Sequence, residues 1–295
     1  METNQFANLE FAVQMTCDGC ANAVESALQK EPGVRSFKID LSREEVLVET
    51  SLSTHEIQGL IESTGRKAVL KGLGGPEPDL GAAVAMLSGA GRVQGVVRFL
   101  QLSQDCCLID GAIDGLDPGL HGLHVHEYGD LTQDCTRALR SLTEGIHVSL
   151  LYLLKDTENV PLQCCGEHYN PFGKQHGGPE DKERHVGDLG NIVAAADGRA
   201  TFRLEDSQLK VWDVIGRSLV VDSGEDDLGK GDHPLSSKTG NSGERLACGI
   251  IARSAGLFQN PKQICACDGV TLWEERDRPL AGKGRRITDT PPSNL

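Results

Sequence analysis

Positive charge is scarce in this sequence: 29 Lys and Arg stand against 43 Asp and Glu in 295 residues, a formal net charge of −14. That balance argues against nucleic acid or an anionic membrane surface as a partner. Long apolar runs are missing too. A membrane span needs roughly 18 such residues, and the longest candidate, VSLLYLL at 148–154, is far shorter. The opening METNQFANLEFAVQ has neither the basic flank nor the apolar stretch of a signal peptide. We therefore expect a cytoplasmic protein, with a mitochondrial intermembrane-space or nuclear fraction left open. In that reducing setting the ten cysteines read as metal ligands, redox thiols or buried side chains rather than a secreted disulfide framework.

The chain is longer than one average domain, with an ordinary globular composition of 38% apolar and 24% charged residues. The first 74 residues read as a small α+β unit. LEFAVQ (9–14) alternates like a strand, and CANAVESALQK (20–30) places Ala21, Val24, Ala27 and Leu28 on one helical face. VRSFKIDL (34–41) and EVLVET (45–50) are strands joined by a polar turn. Thr54 opens a second helix that Gly65 stops, and KAVLK closes the unit as a strand. The order β-α-β-β-α-β is ferredoxin-like. GLGGPEPD (72–79) is a linker by composition, bounded at 75–80. Across 81–253, β-type runs alternate with Gly, Asp and Pro turns: VQGVVRFLQL, CLIDGAIDGL, GLHVHEYG, RATFRLED, SLVVD and LACGIIA. This spacing predicts an all-β sandwich or barrel. Residues 254–295 read as a polar, mostly disordered tail containing Cys265 and Cys267. Within the β region, Ser141 and Glu144 have capping-box spacing, and apolar residues at helical spacing predict a short helix at 142–155.

Three clusters carry chemistry. In MTCDGC, Cys17 and Cys20 stand where a strand gives way to a helix, whose N-terminus favours thiolate. Two thiolates at this spacing suit Cu(I), and an open two-ligand site permits ligand exchange. A bare CxxC is shared by zinc knuckles and redox sites, and two purely structural cysteines are the plain alternative. Zinc, however, would want two more ligands nearby, and none is evident in this unit. Second, His124 and His126 sit two apart on a probable strand and so face one side. His168, His176, His185 and Asp188 follow, and these three imidazoles and one carboxylate could close a four-ligand zinc site. Third, Cys265 and Cys267 form a C-x-C pair that could bind Cu(I) or exchange disulfides.

The M-x-C-x-x-C motif and the β-α-β-β-α-β order resemble heavy-metal-associated copper-carrier domains. GLHGLHVHEYGD, HGGP, ERHVGDLGN, VIGRSLVV, DDLGKG and KTGNSGERLACGII resemble Cu,Zn superoxide dismutase over most of 81–252, implying a Greek-key barrel. By that resemblance His168, His176, His185 and Asp188 are zinc ligands, and His124, His126 and His168 match three copper ligands. Arg245 matches the anion-guiding arginine, and Cys135–Cys248 the intrasubunit disulfide. The fourth copper ligand is replaced by Asp222, so the domain is not expected to be a dismutase. The three parts together resemble the copper-chaperone family that serves superoxide dismutase. This implies Cu(I) and Zn(II) as bound metals and a heterodimer with a Cu,Zn superoxide dismutase subunit, made through the surface that dismutases use to dimerise. A homodimer and copper donor proteins are further partners left open. Cys265 and Cys267 would act in copper transfer and in oxidation of the target's disulfide. The rivals are an active dismutase with an appended carrier, a copper store, or a variant blocked in delivery.

One segment departs from the resemblance. Cys135 to His168 spans 33 positions, roughly 27 more than the family has, with the excess at 136–163. Loop length alone costs little; the concern is whether His168 still reaches the zinc site. An alternative exon or gene-model artefact, a tolerated surface excursion and a real contact element are all open. His147, Cys106, Cys107, Cys164 and Cys165 receive no role.

Overall fold

The computed structural model describes residues 5–75, 80–89, 91–131, 165–260 and 271–275. The first unit runs β1 (Ala7–Val13), α1 (Asp18–Leu28), β2 (Val34–Asp40), β3 (Glu45–Thr50), α2 (Thr54–Glu62) and β4 (Ala68–Gly74). Its antiparallel sheet has the order β2-β3-β1-β4. Alternation along β1 explains its two faces. Leu9, Phe11 and Val13 join Val46, Val48, Val24, Leu28, Ile57 and Ile61 in one apolar core. The intervening Asn8, Glu10 and Ala12 belong to the face opposite α1 and α2. α2 starts on a full capping box: Glu56 N donates to Ser53 Oγ at 3.3 Å, and Ser53 N donates to Glu56 Oε2 at 2.8 Å.

The second unit is an antiparallel barrel of β5 (Ala82–Ser88), β6 (Gln94–Ser103), β7 (Cys106–Asp114), β8 (Gly119–His126), β9 (Asp188–Ala194), β10 (Ala200–Asp206), β11 (Ser218–Asp222) and β12 (Arg245–Arg253). The order β10-β7-β6-β5-β12-β11-β8-β9 carries the crossovers of a Greek key, and the end strands β10 and β9 also meet, nearly closing the barrel. Phe99, Ile109, Leu123, Val125, Leu219, Val221 and Ile251 fill it. The six strand runs expected from the sequence are β6, β7, β8, β10, β11 and β12. The expectation does not include β5, which is rich in alanine, or β9, whose start DLGN carries the candidate ligand Asp188. Gly72–Gly74, assigned to a linker by composition, are the end of β4.

The two units share a core. Leu100, Leu102 and Leu108 of the barrel belong to the cluster that fills the first unit. Polar contacts frame this junction: Thr54 N donates to the buried Asp110 Oδ2 at 2.8 Å, and Arg203 donates to Leu52 O at 2.9 Å and Gln5 O at 2.7 Å.

The expected helix at 142–155 and the whole excess segment lie outside the described residues. The ends flanking that stretch lie together. Tyr128 N donates to Cys165 O at 3.0 Å, and Leu131 packs against Cys165, Val220 and Cys248. The chain thus leaves the barrel and returns to it at one place, where extra length need not move the flanking residues.

Candidate metal sites

β1 delivers the chain to Met15, whose side chain is buried in the first core and fastens the loop. Cys17 then takes the N-cap position of α1 with extended backbone, φ −159° and ψ 166°, and Cys20 falls in the first turn. Cys17 is exposed and Cys20 is buried. Their sulfurs lie 3.3 Å apart, well beyond a disulfide at about 2.05 Å. They are also closer than the roughly 4.5 Å that two opposed metal–thiolate bonds of about 2.3 Å would span. Opening the pair by about 1 Å falls naturally to the exposed Cys17. Hydrogen bonds from the Thr16 main chain, the Cys17 thiol and the Thr16 hydroxyl pull the Cys20 thiol from 9.0 down to about 6. One sulfur of the pair is therefore a thiolate at neutral pH, ready for a soft monovalent ion.

The second site lies beneath the barrel's loops. On β8, Leu123 and Val125 face the core, so His124 and His126 face the other way. Asp188, at the start of β9, is the hub. Gly177 N at 3.1 Å and His185 N at 3.0 Å donate to its Oδ2. Its Oδ1 meets the Nδ1 atoms of His168 at 2.8 Å, His176 at 3.0 Å and His185 at 3.2 Å. The four residues expected to bind zinc thus converge on one point, and all are buried. Grouping by mutual distance alone puts His124 with His168, His176 and Asp188. The directed contacts favour His185 instead, because both nitrogens of His124 are drawn elsewhere. Three imidazoles and a carboxylate in a closed, buried set fit a structural zinc. The concern over His168 is answered: it reaches the cluster.

His124 stacks on His168 with ring centroids 4.0 Å apart. Its Nδ1 meets Asp222 Oδ2 at 3.0 Å, and its Nε2 meets Asp226 Oδ2 at 2.8 Å. Asp222 stands where the resemblance would place a fourth copper-ligand imidazole, and it accepts a further bond from Ser242 Oγ at 2.8 Å. It is committed to holding His124. Asp226, to which the sequence reading gave no role, bridges the two clusters, since its other oxygen meets His176 Nε2 at 2.8 Å. The only sequence signal for it was its place in DDLGKG. Burial opposes charge on His124 and His176, but the paired carboxylates outweigh it and raise both to about 9. Burial and the neighbouring His124 lower His168 to about 4. Asp188 and Asp226 are held far below the usual carboxylate range by these histidines despite burial. Burial, with His168 and Arg245 beside it, keeps His126 neutral. Arg245 Nη2 donates to Gly166 O at 2.8 Å and lies 3.3 Å from His126 Nδ1.

Cys248 is disulfide-bonded, to a partner outside the described residues. Cys135, Cys164, Cys265, Cys267 and His147 also lie outside them. Cys106 and Cys107 are free thiols on β7; as consecutive strand residues they face opposite ways and form no site.

Residues 93–251 match the copper/zinc superoxide dismutase family, and residues 10–67 match the heavy-metal-associated domain. The chain is 60% identical over 288 residues to the copper chaperone for superoxide dismutase of Rattus norvegicus, covering 97% of this chain and 95% of the relative. Against the Homo sapiens protein of that name, identity is 61% over the same shares. The chloroplastic/cytosolic form from Arabidopsis thaliana is 35% identical over 266 residues, 90% of this chain and 69% of the relative.

Proposed function

We infer function from the premise that this chain belongs to the family of copper chaperones for superoxide dismutase: it binds Cu(I) and delivers it to Cu,Zn superoxide dismutase rather than turning over a substrate. The observation that carries the reading is the thiol pair at the head of α1, 3.3 Å apart, with one sulfur already ionised near neutral pH. Cys17 and Cys20 take up the ion. Exposed Cys17 offers the route for exchange, in which an incoming thiolate replaces one sulfur at a time and the ion never leaves sulfur coordination.

His168, His176, His185 and Asp188 hold zinc, which stiffens the loops over the barrel as a structural ion. The barrel, 81–253, recognises the target subunit as a heterodimer, and Cys135 pairs with Cys248. Cys265 and Cys267 act at the target. Oxidised to a disulfide, they accept the two electrons and two protons of the target's dithiol, which becomes the target's own disulfide. His124 and His126 are the remnant of a copper site that Asp222 has closed to redox cycling. The cytosol is the compartment we propose, and among the described residues no helix is long and apolar enough to cross a membrane.

The test is delivery. The protein loaded with one Cu(I) is mixed with zinc-loaded, copper-free, disulfide-reduced dismutase, and superoxide dismutation is followed. Activity is expected only in the mixture, and it should vanish with Cys17→Ser/Cys20→Ser or Cys265→Ser/Cys267→Ser. Activity in the protein alone would overturn the reading of Asp222. No activity in the mixture would overturn delivery, and deletion of 136–162 would show whether the excess segment is the cause.

A further inference from the structure

We propose that the face of the carrier sheet opposite α1 and α2 is a dock for the C-terminal tail, holding both ends of the stretch that bears Cys265 and Cys267. Two separate parts of the tail lie on that face. Residues 254–260 follow β12. There Phe258 N donates to Glu10 Oε2 at 2.6 Å, and Asn260 Nδ2 donates to Lys71 O at 3.2 Å. Eleven residues after Asn260, Thr271 opens a helical turn whose Trp273 packs against Ala12 and Val69.

The face is shaped for this occupant. A Cβ added to Gly74 would lie 2.5 Å from Leu257 Cγ, and one added to Gly72 would lie 3.0 Å from Gly256 O. The two glycines thus leave a slot in β4 that Leu257 fills. Glu10 is fully buried in the middle of a sheet face, an unusual place for a carboxylate. Lys71 Nζ lies 2.8 Å from its Oε1 as an ion pair, and the Phe258 amide donates to its Oε2 at 2.6 Å. Phe258 has φ 59°, a left-handed backbone that a bulky residue rarely adopts. That conformation turns its N–H onto Glu10.

The direction matters. Asn8 pairs with Gly74, Glu10 with Gly72 and Ala12 with Val69, so contacts that begin at Leu257 and end at Trp273 advance along β1 toward the loop holding Cys17. Cys265 is five residues beyond Asn260, and Cys267 is four before Thr271. At about 3.4 Å per residue neither cysteine can stray more than about 17 Å from an anchor on the carrier. The dock thus keeps the tail thiols at high effective concentration beside the copper-loaded pair; this role rests on the chaperone reading.

The test uses the full chain. Hydrogen–deuterium exchange should show amides in 257–260 protected at least tenfold over a free peptide. Gly74→Val should abolish that protection while peptides from β1 and β3 keep theirs. Exchange at the free-peptide rate in the wild type, or protection unchanged in Gly74→Val, would overturn the dock. Should Gly74→Val misfold, a second readout remains. With Trp212→Phe, Trp273 is the single tryptophan, and its acrylamide quenching should rise at least twofold on Val69→Lys; unchanged quenching would overturn the second anchor. For the role, Gly74→Val should slow delivery to dismutase at least threefold with Cu(I) affinity unchanged, and an unaltered rate with a freed tail would overturn it. If neither wild type nor variant delivers copper while both docking readouts hold, the chaperone reading fails and the dock stands.

Discussion

The sharpest prediction concerns the Cys17–Cys20 pair without metal. With the Cys20 thiol at about 6 instead of 9.0, about 90% of it is thiolate at pH 7, against about 1% for an unperturbed thiol. A lower pKa also makes a weaker nucleophile, by about 20-fold for this difference at a Brønsted slope near 0.45. Alkylation of Cys20 at pH 7 should then be only about fourfold faster than that of an ordinary thiol, and at pH 9.5 about fifteenfold slower. A crossover of this kind cannot arise from accessibility, which scales all pH values alike. The assay is iodoacetamide labelling of the metal-free reduced protein read peptide by peptide, alongside a thiolate-absorbance titration differenced against Cys17→Ser/Cys20→Ser. The first proton of the pair should leave with a midpoint near 6 and belong to the pair jointly. Thr16→Val, which removes one of the four hydrogen-bond contributions, should move the midpoint upward. No absorbance change below pH 8, or no response to Thr16→Val, would refute the reasoning. Cys106 is a built-in contrast, because burial pushes it up to about 11.

Three further outcomes follow from the geometry. Zinc binding near pH 7.5 should expel about one proton, because His176, at about 9 between Asp188 and Asp226, must give up its Nδ1 proton; calorimetry in buffers of different ionisation heat reads this, and no buffer dependence would count against it. Asp226→Ala should destabilise the metal-free barrel by about 3–5 kcal/mol by leaving His124 and His176 buried without their shared carboxylate, measurable by denaturant unfolding. This contribution is present above the ordinary aspartate range and fades as pH falls below it, since Asp226 titrates lower when folded. Asp110→Ala should cost about 1–3 kcal/mol by orphaning the Thr54 amide, and should raise exchange at the start of α2 more than in the barrel strands.

How much of this was legible depended on whether a feature is local in the chain. The capping and periodicity of α2, the thiol pair and the His/Asp string from His168 to Asp188 all sit within short windows, so spacing singled them out as candidates. β5 was hidden because AAVAMLS has little strand propensity and owes its state to pairing with β6 and β12. Asp226 was hidden because its partners, His124 and His176, are 102 and 50 positions away. Gly72 and Gly74 read as linker because glycine is a turn signal by itself; that they make room for Leu257 is a fact about a residue 183 positions beyond Gly74. The excess at 136–163 looked threatening in one dimension, whereas Tyr128 and Cys165 meet at its base.

The shared core has a consequence for the linker between the units. Because Leu100, Leu102 and Leu108 of the barrel complete the apolar filling of the carrier, the carrier is not a bead on a string whose reach is set by residues 75–80. Cut free, it would expose the apolar flank that these three leucines cover. The thiol pair at the head of α1 is thereby held at one bearing from the barrel rather than on a swinging arm.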